Sequence, residues 1–136
     1  MVPVLLCAGL LVTGCSHATV GAADREPAEV EPIEGTDRSR VTLTADAARR
    51  LDIQTEPVRE SDDGALVVPY SAVIYDASGD TWVYTNPEPL VFTRDAISVE
   101  SIDGDDVLLS SGPEVGTLVV TVGAAELYGT EGDIGH

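Results

Sequence analysis

The chain of 136 residues contains no lysine, and its seven basic residues are all arginines, set against 24 acidic residues for a formal net charge of −17. A surface this acidic repels nucleic acids and anionic lipid headgroups, so we expect neither as a direct partner. Aromatic residues make up only 4% of the chain, which argues against a stacking platform for bases or extended glycans.

Cysteine and histidine are also scarce. Both cysteines, Cys7 and Cys15, lie in the first 15 residues, so we expect no disulfide or thiolate framework in the rest of the chain. The histidines, His17 and His136, lie close to the two ends. No phosphate-binding glycine loop, HExxH or CxxC motif is present, and no nucleophile has an evident base. The sequence therefore predicts a protein that is not an enzyme and needs no cofactor.

The N-terminal apolar run, Val2–Val12, is too short to cross a bilayer but suits the apolar region of a signal peptide. It ends in Val12-Thr13-Gly14-Cys15, which resembles a bacterial lipobox, although no Lys or Arg precedes the run. The resemblance implies a lipoprotein signal peptide over residues 1–14 and a fatty-acylated (palmitate-type) Cys15. Such an anchor fixes the protein to the extracytoplasmic face of the cell membrane. The alternative is a buried N-terminal strand or helix with an incidental cysteine.

Residues 15–39 are dominated by alanine, glycine, proline and glutamate, with few large apolar side chains. A segment of this composition buries too little surface to fold by itself. We therefore predict a disordered acidic tether over residues 15–39.

Residues 40–129 carry the predicted domain, with the single Trp, the single Phe and all four Tyr. Short apolar runs separated by turn residues at intervals of roughly ten residues indicate a compact β module. Thr44 is a suitable N-cap for a helical run over Ala45–Leu51. We expect a mainly β fold, a small antiparallel β barrel or sandwich-like domain with one short helix, followed by a tail over residues 130–136.

The expected core consists of apolar residues from every predicted strand and from the helix: Leu43, Leu51, Ile53, Val68, Val73, Trp82, Phe92, Ile97, Leu108, Leu118 and Val120. A β-bulge at Arg94–Ala96 is expected to let Phe92 and Ile97 face the same core. Trp82 and Tyr84 share one face of their strand, and we favour packing over an exposed ligand platform for both.

The strongest metal candidates are Asp103, Asp105 and Asp106, because alternate carboxylates on a glycine turn can offer oxygen ligands to Ca²⁺. The segment lacks the length and the later glutamate of an EF-hand loop. An ordinary hairpin turn has the same composition, and we favour that interpretation.

Four stretches follow one another in a recognisable order: Val41–Thr55, VVPYSAV at Val67–Val73, the two alternating runs within Trp82–Val99, and Val107–Tyr128 with Gly112 and Gly116. Behind a lipobox and a tether, they resemble the C-terminal, membrane-proximal part of bacterial periplasmic adaptor proteins, the membrane fusion proteins of RND-type efflux pumps. The resemblance covers about two thirds of the chain. It departs from the family between Pro57 and Ala65, where adaptors carry a lipoyl-like domain, a long helical hairpin and a β-barrel.

The resemblance implies a non-catalytic, lipid-anchored accessory subunit of an efflux or export system. Its partner would be an RND-type transporter or another permease, and the resemblance also implies a homo-oligomer of the subunit within the assembly. The hairpin that would reach an outer-membrane channel has no counterpart here. A second hypothesis is a lipid-anchored module that binds a small ligand, a cation or a cell-wall polymer. Such a module needs a concave pocket, whereas a subunit needs a protein-sized patch.

The lipobox prediction is tested by changing Cys15 to Ser and comparing detergent partition of both proteins after expression in a suitable bacterium. We expect the unaltered protein in the detergent phase and Cys15→Ser in the aqueous phase, because the anchor needs the thiol. Equal partition of both proteins into the aqueous phase would contradict the prediction.

Overall fold

The structure, a computed structural model, describes residues 26–134. These residues form ten strands, two α-helices and one 3₁₀ turn. In chain order they are β1 (Ala28–Pro32), β2 (Ser39–Leu43), α1 (Ala45–Arg50), β3 (Gln54–Pro57), β4 (Arg59–Glu60), β5 (Leu66–Pro69), the 3₁₀ turn (Tyr70–Ala72), β6 (Ile74–Tyr75), β7 (Thr81–Glu88), β8 (Val91–Asp103), β9 (Asp106–Ser111), β10 (Leu118–Val122) and α2 (Ala124–Ile134).

The strands make an antiparallel sheet in the order β3-β10-β7-β8-β9-β5-β4. Its two outer strands, β3 and β4, are successive parts of one extended segment in which only Val58 lies between them. The N–H of Val58 donates to the carbonyl of Thr117 at 2.8 Å, and its carbonyl accepts from the N–H of Gly116 at 2.9 Å. The sheet is thereby nearly closed into a barrel, which confirms the predicted mainly β, antiparallel, barrel-like fold.

An outer layer covers one side of this barrel. The β1–β2 hairpin attaches through β2, which pairs with the first residues of β8. Helices α1 and α2 contact β2, and α2 also contacts β1, β6 and β7. Helix α1 begins as predicted, because Thr44 Oγ1 accepts from the N–H of Ala47 at 3.1 Å. No helix within residues 26–134 is long and apolar enough to span a membrane.

Two separate buried clusters hold these parts together. The inner cluster fills the barrel and consists of Val58, Val68, Ala72, Val83, Ile97, Val107, Leu109 and Val119. The outer cluster lies between the barrel and the outer layer and consists of Ala28, Val41, Leu43, Ala47, Ile74, Tyr84, Phe92, Val120, Ala124 and Leu127. Successive residues of one strand, such as Val83 and Tyr84, therefore point into different clusters, and both faces of the central strands are buried.

The bulge predicted at Arg94–Ala96 is wrong. Strands β7 and β8 stay in register from Thr81 opposite Ile97 to Thr85 opposite Thr93. Phe92 packs in the outer cluster and Ile97 in the inner one. The prediction assumed a single core on one face of the sheet, whereas a strand with two buried faces needs no bulge to bury both side chains.

The predicted boundaries also need correction at both ends of the domain. Strand β1 lies inside the range predicted as a tether, and it pairs with β2 from Ala28 opposite Leu43 to Pro32 opposite Ser39. Backbone pairing and the packing of Ala28 and Val30 on the outer cluster stabilise it, although its composition is poor in large apolar residues. Helix α2 likewise extends into the predicted tail and is a second helix where only one was expected. Residues 15–25 of the predicted tether lie outside the described residues.

The predicted core is correct in outline. Leu43, Val68, Phe92, Ile97 and Val120 are buried, and a further set packs at the edges of the clusters, namely Leu51, Ile53, Val73 and Trp82. The prediction is wrong for Leu108, which is only half-buried, and for Leu118, which is exposed. In each case the adjacent residue takes the buried position, because a shift of one residue moves a side chain to the other face of the sheet.

Gly123 joins β10 to α2 in a conformation that only glycine adopts readily. Its φ is +92°, and its carbonyl accepts the first helical hydrogen bond of α2 from the N–H of Leu127 at 3.0 Å. A Cβ added here would overlap with Cδ1 of Ile53. Gly116 has a nearly equal φ of +91°, yet a Cβ there would meet no atom within 4 Å. A comparison of alanine substitutions at the two glycines therefore separates the cost of backbone strain from the cost of crowding.

Gly116→Ala is expected to lower the free energy of unfolding by about 1–2 kcal/mol, the cost of a left-handed backbone for an L-residue. Gly123→Ala should cost this amount and about 0.5–1.5 kcal/mol more, because the end of the Ile53 side chain has to move from its preferred rotamer. The additional loss should disappear in an Ile53→Val background, which lacks Cδ1. Urea denaturation measures all three differences, and equal losses for the two alanine variants would contradict the crowding at Ile53.

Candidate functional site

The three aspartates proposed as metal candidates lie on the turn between β8 and β9. Asp103 is paired with Asp106 across this turn, and the carbonyl of Asp105 accepts from the N–H of Tyr70 at 2.8 Å. The carboxylate of Asp106 accepts from Nη2 of Arg59 at 2.5 Å. Across residues 26–134, no group of three or more His, Cys, Asp or Glu side chains is placed to hold a metal ion. These contacts are those of an ordinary hairpin turn. Cys15 lies outside the described residues, so its acylation stays a prediction.

The most elaborate polar arrangement is a buried cluster around Glu131 of α2. Its Oε2 accepts from the hydroxyl of Tyr84 at 2.5 Å, and its Oε1 accepts from the backbone N–H of Ser39 at 3.0 Å. Nε of Arg94 lies 3.2 Å from Oε2, and Nη2 of Arg94 donates to Oε1 at 3.4 Å. Arg94 is only 8% exposed, and Glu131 is only 7% exposed. This cluster joins β2, β7, β8 and α2.

Aromatic rings surround the guanidinium of Arg94. Its central carbon lies 4.2 Å from the ring centroid of Trp82 and 5.8 Å from that of Tyr128, so the cation faces two π systems. The indole N–H of Trp82 donates to Asp76 at 3.0 Å, and this hydrogen bond lowers the pKa of the Asp76 carboxyl. Trp82 is half-buried and packs on the outer cluster. These contacts match the packing role expected for Trp82.

The chemistry of this cluster is that of a structural ion pair. Burial, followed by the neighbouring Glu131 carboxylate, raises the pKa of Tyr84 far above its ordinary value of 10.0. A tyrosine that stays protonated at neutral pH donates a hydrogen bond but is not available as a base. The cluster therefore holds α2 and β2 on the barrel. The sequence contains one signal for this buried cluster, since Arg94 lies between Phe92 and Ala96 on an otherwise apolar face. It contains none for Glu131, which lies in the range predicted as a tail.

A cavity of about 370 Å³ lies in the outer layer, between the β1–β2 hairpin and the two helices. Its apolar lining comes from the start of β1, the end of β2 and α1, and two polar side chains complete it: Ala28, Leu43, Ala47, Leu51, Arg50 and Thr130. This concave site was not predicted from the sequence, because it forms only when β1, which was expected to be disordered, pairs with β2 and when α2 brings Thr130 beside them. We call it the α1 cavity.

A second surface, which we call the tip, consists of Tyr70, Ile102, Asp103, Asp105 and Asp106. Tyr70 is 48% exposed and Ile102 is 52% exposed, although both are large and apolar. They lie at the same end of the sheet, since Ile102 lies opposite Val107 on β9, and Val107 lies opposite Val68, two residues before Tyr70. Asp103 and Asp105 add exposed negative charge at this end of the sheet, whereas the carboxylate of Asp106 is paired with Arg59. The tip therefore combines exposed apolar side chains with an acidic rim.

Comparisons of this chain with models of protein families, with curated proteins and with solved structures found no match. The resemblance to periplasmic adaptors therefore rests on the sequence segments quoted above. The function has to be inferred from those segments together with the geometry of residues 26–134.

Tyr84→Phe is expected to lower the free energy of unfolding at pH 7 by about 1.5–3 kcal/mol, the range for a hydrogen bond to a charged group. The raised pKa of Tyr84 also has a pH consequence. At a pH above its ordinary pKa of 10.0, Tyr84 ionises in the unfolded chain but stays protonated in the folded one. Its stabilising contribution is therefore complete below pH 10 and is lost as the pH rises further.

Urea denaturation between neutral pH and pH 11 measures both effects. Tyr84→Phe should show a smaller loss of stability above pH 10 than the unaltered protein. Tyr75→Phe is the control, because the Tyr75 side chain is exposed and makes no comparable contact with Glu131. A Tyr84→Phe protein that loses as much stability above pH 10 as the unaltered one would contradict the assignment.

Proposed function

We propose that this protein is a non-catalytic accessory subunit of a transmembrane efflux or export system, similar in role to the membrane-proximal part of periplasmic adaptors. Cys15 would anchor it on the extracytoplasmic face of the cell membrane, and its β domain would contact the transporter. Residues 26–134 contain no histidine, cysteine or lysine, which leaves few candidates for a nucleophile or a general base. This composition supports a non-catalytic role.

The pairing of β3 with β10 is the observation that carries the proposal. In adaptors, an opening segment of the chain lies in the membrane-proximal domain, several other domains follow it, and the chain then returns to the membrane-proximal domain. The segments before and after the insertion therefore belong to one domain. The segments that resemble them here, Val41–Thr55 and Val107–Tyr128, also belong to one domain. They are in direct register, with Thr55 opposite Val120 and Glu56 opposite Val119.

The connection between β4 and β5 is short where adaptors carry their long insertion. The N–H of Ser61 donates to the carbonyl of Ala65 at 2.8 Å, and the N–H of Gly64 donates to the carbonyl of Ser61 at 2.9 Å. The hydroxyl oxygen of Ser61 accepts from the N–H of Ala65 at 3.0 Å. The domain is therefore closed without the insertion, and the proposal includes contact with a transporter but not with an outer-membrane channel.

The tip is the surface that best suits a protein partner. Interfaces concentrate their binding energy in a few large side chains, among which tyrosine is enriched, and polar residues surround them. Tyr70 and Ile102 supply such side chains, and the exposed Asp103 and Asp105 supply an acidic rim. The acidic rim favours a partner whose surface is basic.

A crosslinked pull-down from membranes tests the proposal with the full chain. The unaltered protein is expected to recover a polytopic transporter. The double variant Tyr70→Ser, Ile102→Ser should reduce the recovery about tenfold or more, because the loss of a central interface residue costs about 2 kcal/mol or more. Val115→Ser is the matched control, since Val115 is 50% exposed but lies in the loop between β9 and β10.

Three results would contradict the proposal. In the first, no transporter is recovered with any variant. In the second, the tip variant and the control recover the transporter equally, which would remove the tip from the interface. In the third, only this chain is recovered while Ca²⁺ raises its melting temperature, which would favour the cation-binding alternative at Asp103, Asp105 and Asp106.

A further inference from the structure

We propose that the α1 cavity binds a single-chain amphiphile with an anionic headgroup, for which a free fatty acid is the simplest ligand. The alkyl chain would lie against the apolar wall, and the carboxylate would face Arg50 at the rim. This binding site is separate from the tip and does not depend on the proposed contact with a transporter.

The size of the cavity suits one alkyl chain. Its volume of about 370 Å³ is at the lower end of the range for small-molecule pockets, which favours a ligand with one chain over a lipid with two. Two alanines leave this space open, since Ala28 and Ala47 are the smallest residues of the wall and are both buried. Larger side chains at these positions would fill it.

The wall belongs to the folded core and is therefore already formed. Ala28, Leu43 and Ala47 are members of the outer cluster, and Leu51 packs against it. Ala28 lies opposite Leu43 in the β1–β2 pairing, so the strand register fixes the distance between them. A preformed apolar wall spares a ligand the cost of ordering its site.

Arg50 supplies the charge complementarity. Of the six arginines within residues 26–134, the five others each form an ion pair with a carboxylate: Arg38 with Asp95, Arg40 with Glu31, Arg49 with Asp46, Arg59 with Asp106 and Arg94 with Glu131. Arg50 forms none within these described residues, although the chain carries 24 acidic residues. A cation without a carboxylate partner at the rim of an apolar cavity is complementary to a carboxylate that carries an alkyl chain.

Calorimetric titration of the full chain with laurate below its critical micelle concentration tests the proposal. Cys15→Ser is included throughout, so that an acyl group on the chain itself does not compete. We expect one laurate per chain. We also expect Arg50→Gln to weaken laurate binding roughly two- to fivefold, the effect of one ion pair at an exposed rim. Binding of 1-dodecanol, which has no charge, should not change.

Two further variants complete the design. Arg49→Gln is the matched control, because Arg49 is the neighbouring residue of α1, pairs with Asp46 and does not line the cavity. It should bind laurate as the unaltered protein does. Ala47→Leu places a larger side chain in the cavity and should abolish detectable binding. Arg50 is exposed, so Arg50→Gln remains a valid test even where Ala47→Leu lowers the melting temperature.

The proposal is overturned when laurate does not bind, when Ala47→Leu folds and still binds it, or when Arg50→Gln and Arg49→Gln affect binding equally. Two other occupants have their own signatures. Binding of laurate to the Cys15→Ser protein but not to an acylated one would indicate that the chain's own anchor fills the cavity. A dimer that Ala47→Leu abolishes in sedimentation experiments would indicate a second copy. Either result rejects a free fatty acid as the ligand.

Discussion

The structure depends on the way in which one short segment closes the sheet. Residues 54–60 pair with β10 through β3 and with β5 through β4, so both edges of the sheet are taken up by a single stretch of chain. Val58, at the crossing, exchanges two backbone hydrogen bonds with the β9–β10 connection and is 1% exposed. Pairing of this kind reduces the number of backbone groups that an open sheet would offer to other chains. Among the described strands, β1 pairs only with β2 and keeps its other edge unpaired.

Closure of the barrel leaves apolar side chains on its outside, and the outer layer covers them. The central strands carry apolar side chains on both faces, and the outward set needs cover from water. The β1–β2 hairpin and α2 supply that cover, and the ion pair of Arg94 with Glu131 fixes their position. An ion pair in such a place contributes little net stability, but the removal of one partner leaves the other charged and buried. The pair therefore favours one arrangement of the layer over others.

The two proposed binding surfaces follow from this division into layers. The tip lies at the end of the barrel, where Tyr70 and Ile102 continue beyond the inner cluster and remain exposed. The α1 cavity lies in the outer layer, where small residues leave a gap between a hairpin and two helices. A macromolecular partner at the tip and a small amphiphile at α1 would thus contact different layers.

Sequence patterns alone determined the class of fold, the position of α1 with its Thr44 cap, and the turn at Asp103–Asp106. All three depend on residues that are close together along the chain. Tertiary structure alone decided which residues share a core. A strand that is buried on both faces and a bulged strand that is buried on one face can have the same pattern of apolar residues, so the sequence does not distinguish them. It also decided that β1 is ordered, that Glu131 meets Arg94, and that Arg50 lies beside an apolar cavity. These features join residues up to 92 positions apart, as in the bond between Ser39 and Glu131, and local propensity carries no information over such a separation.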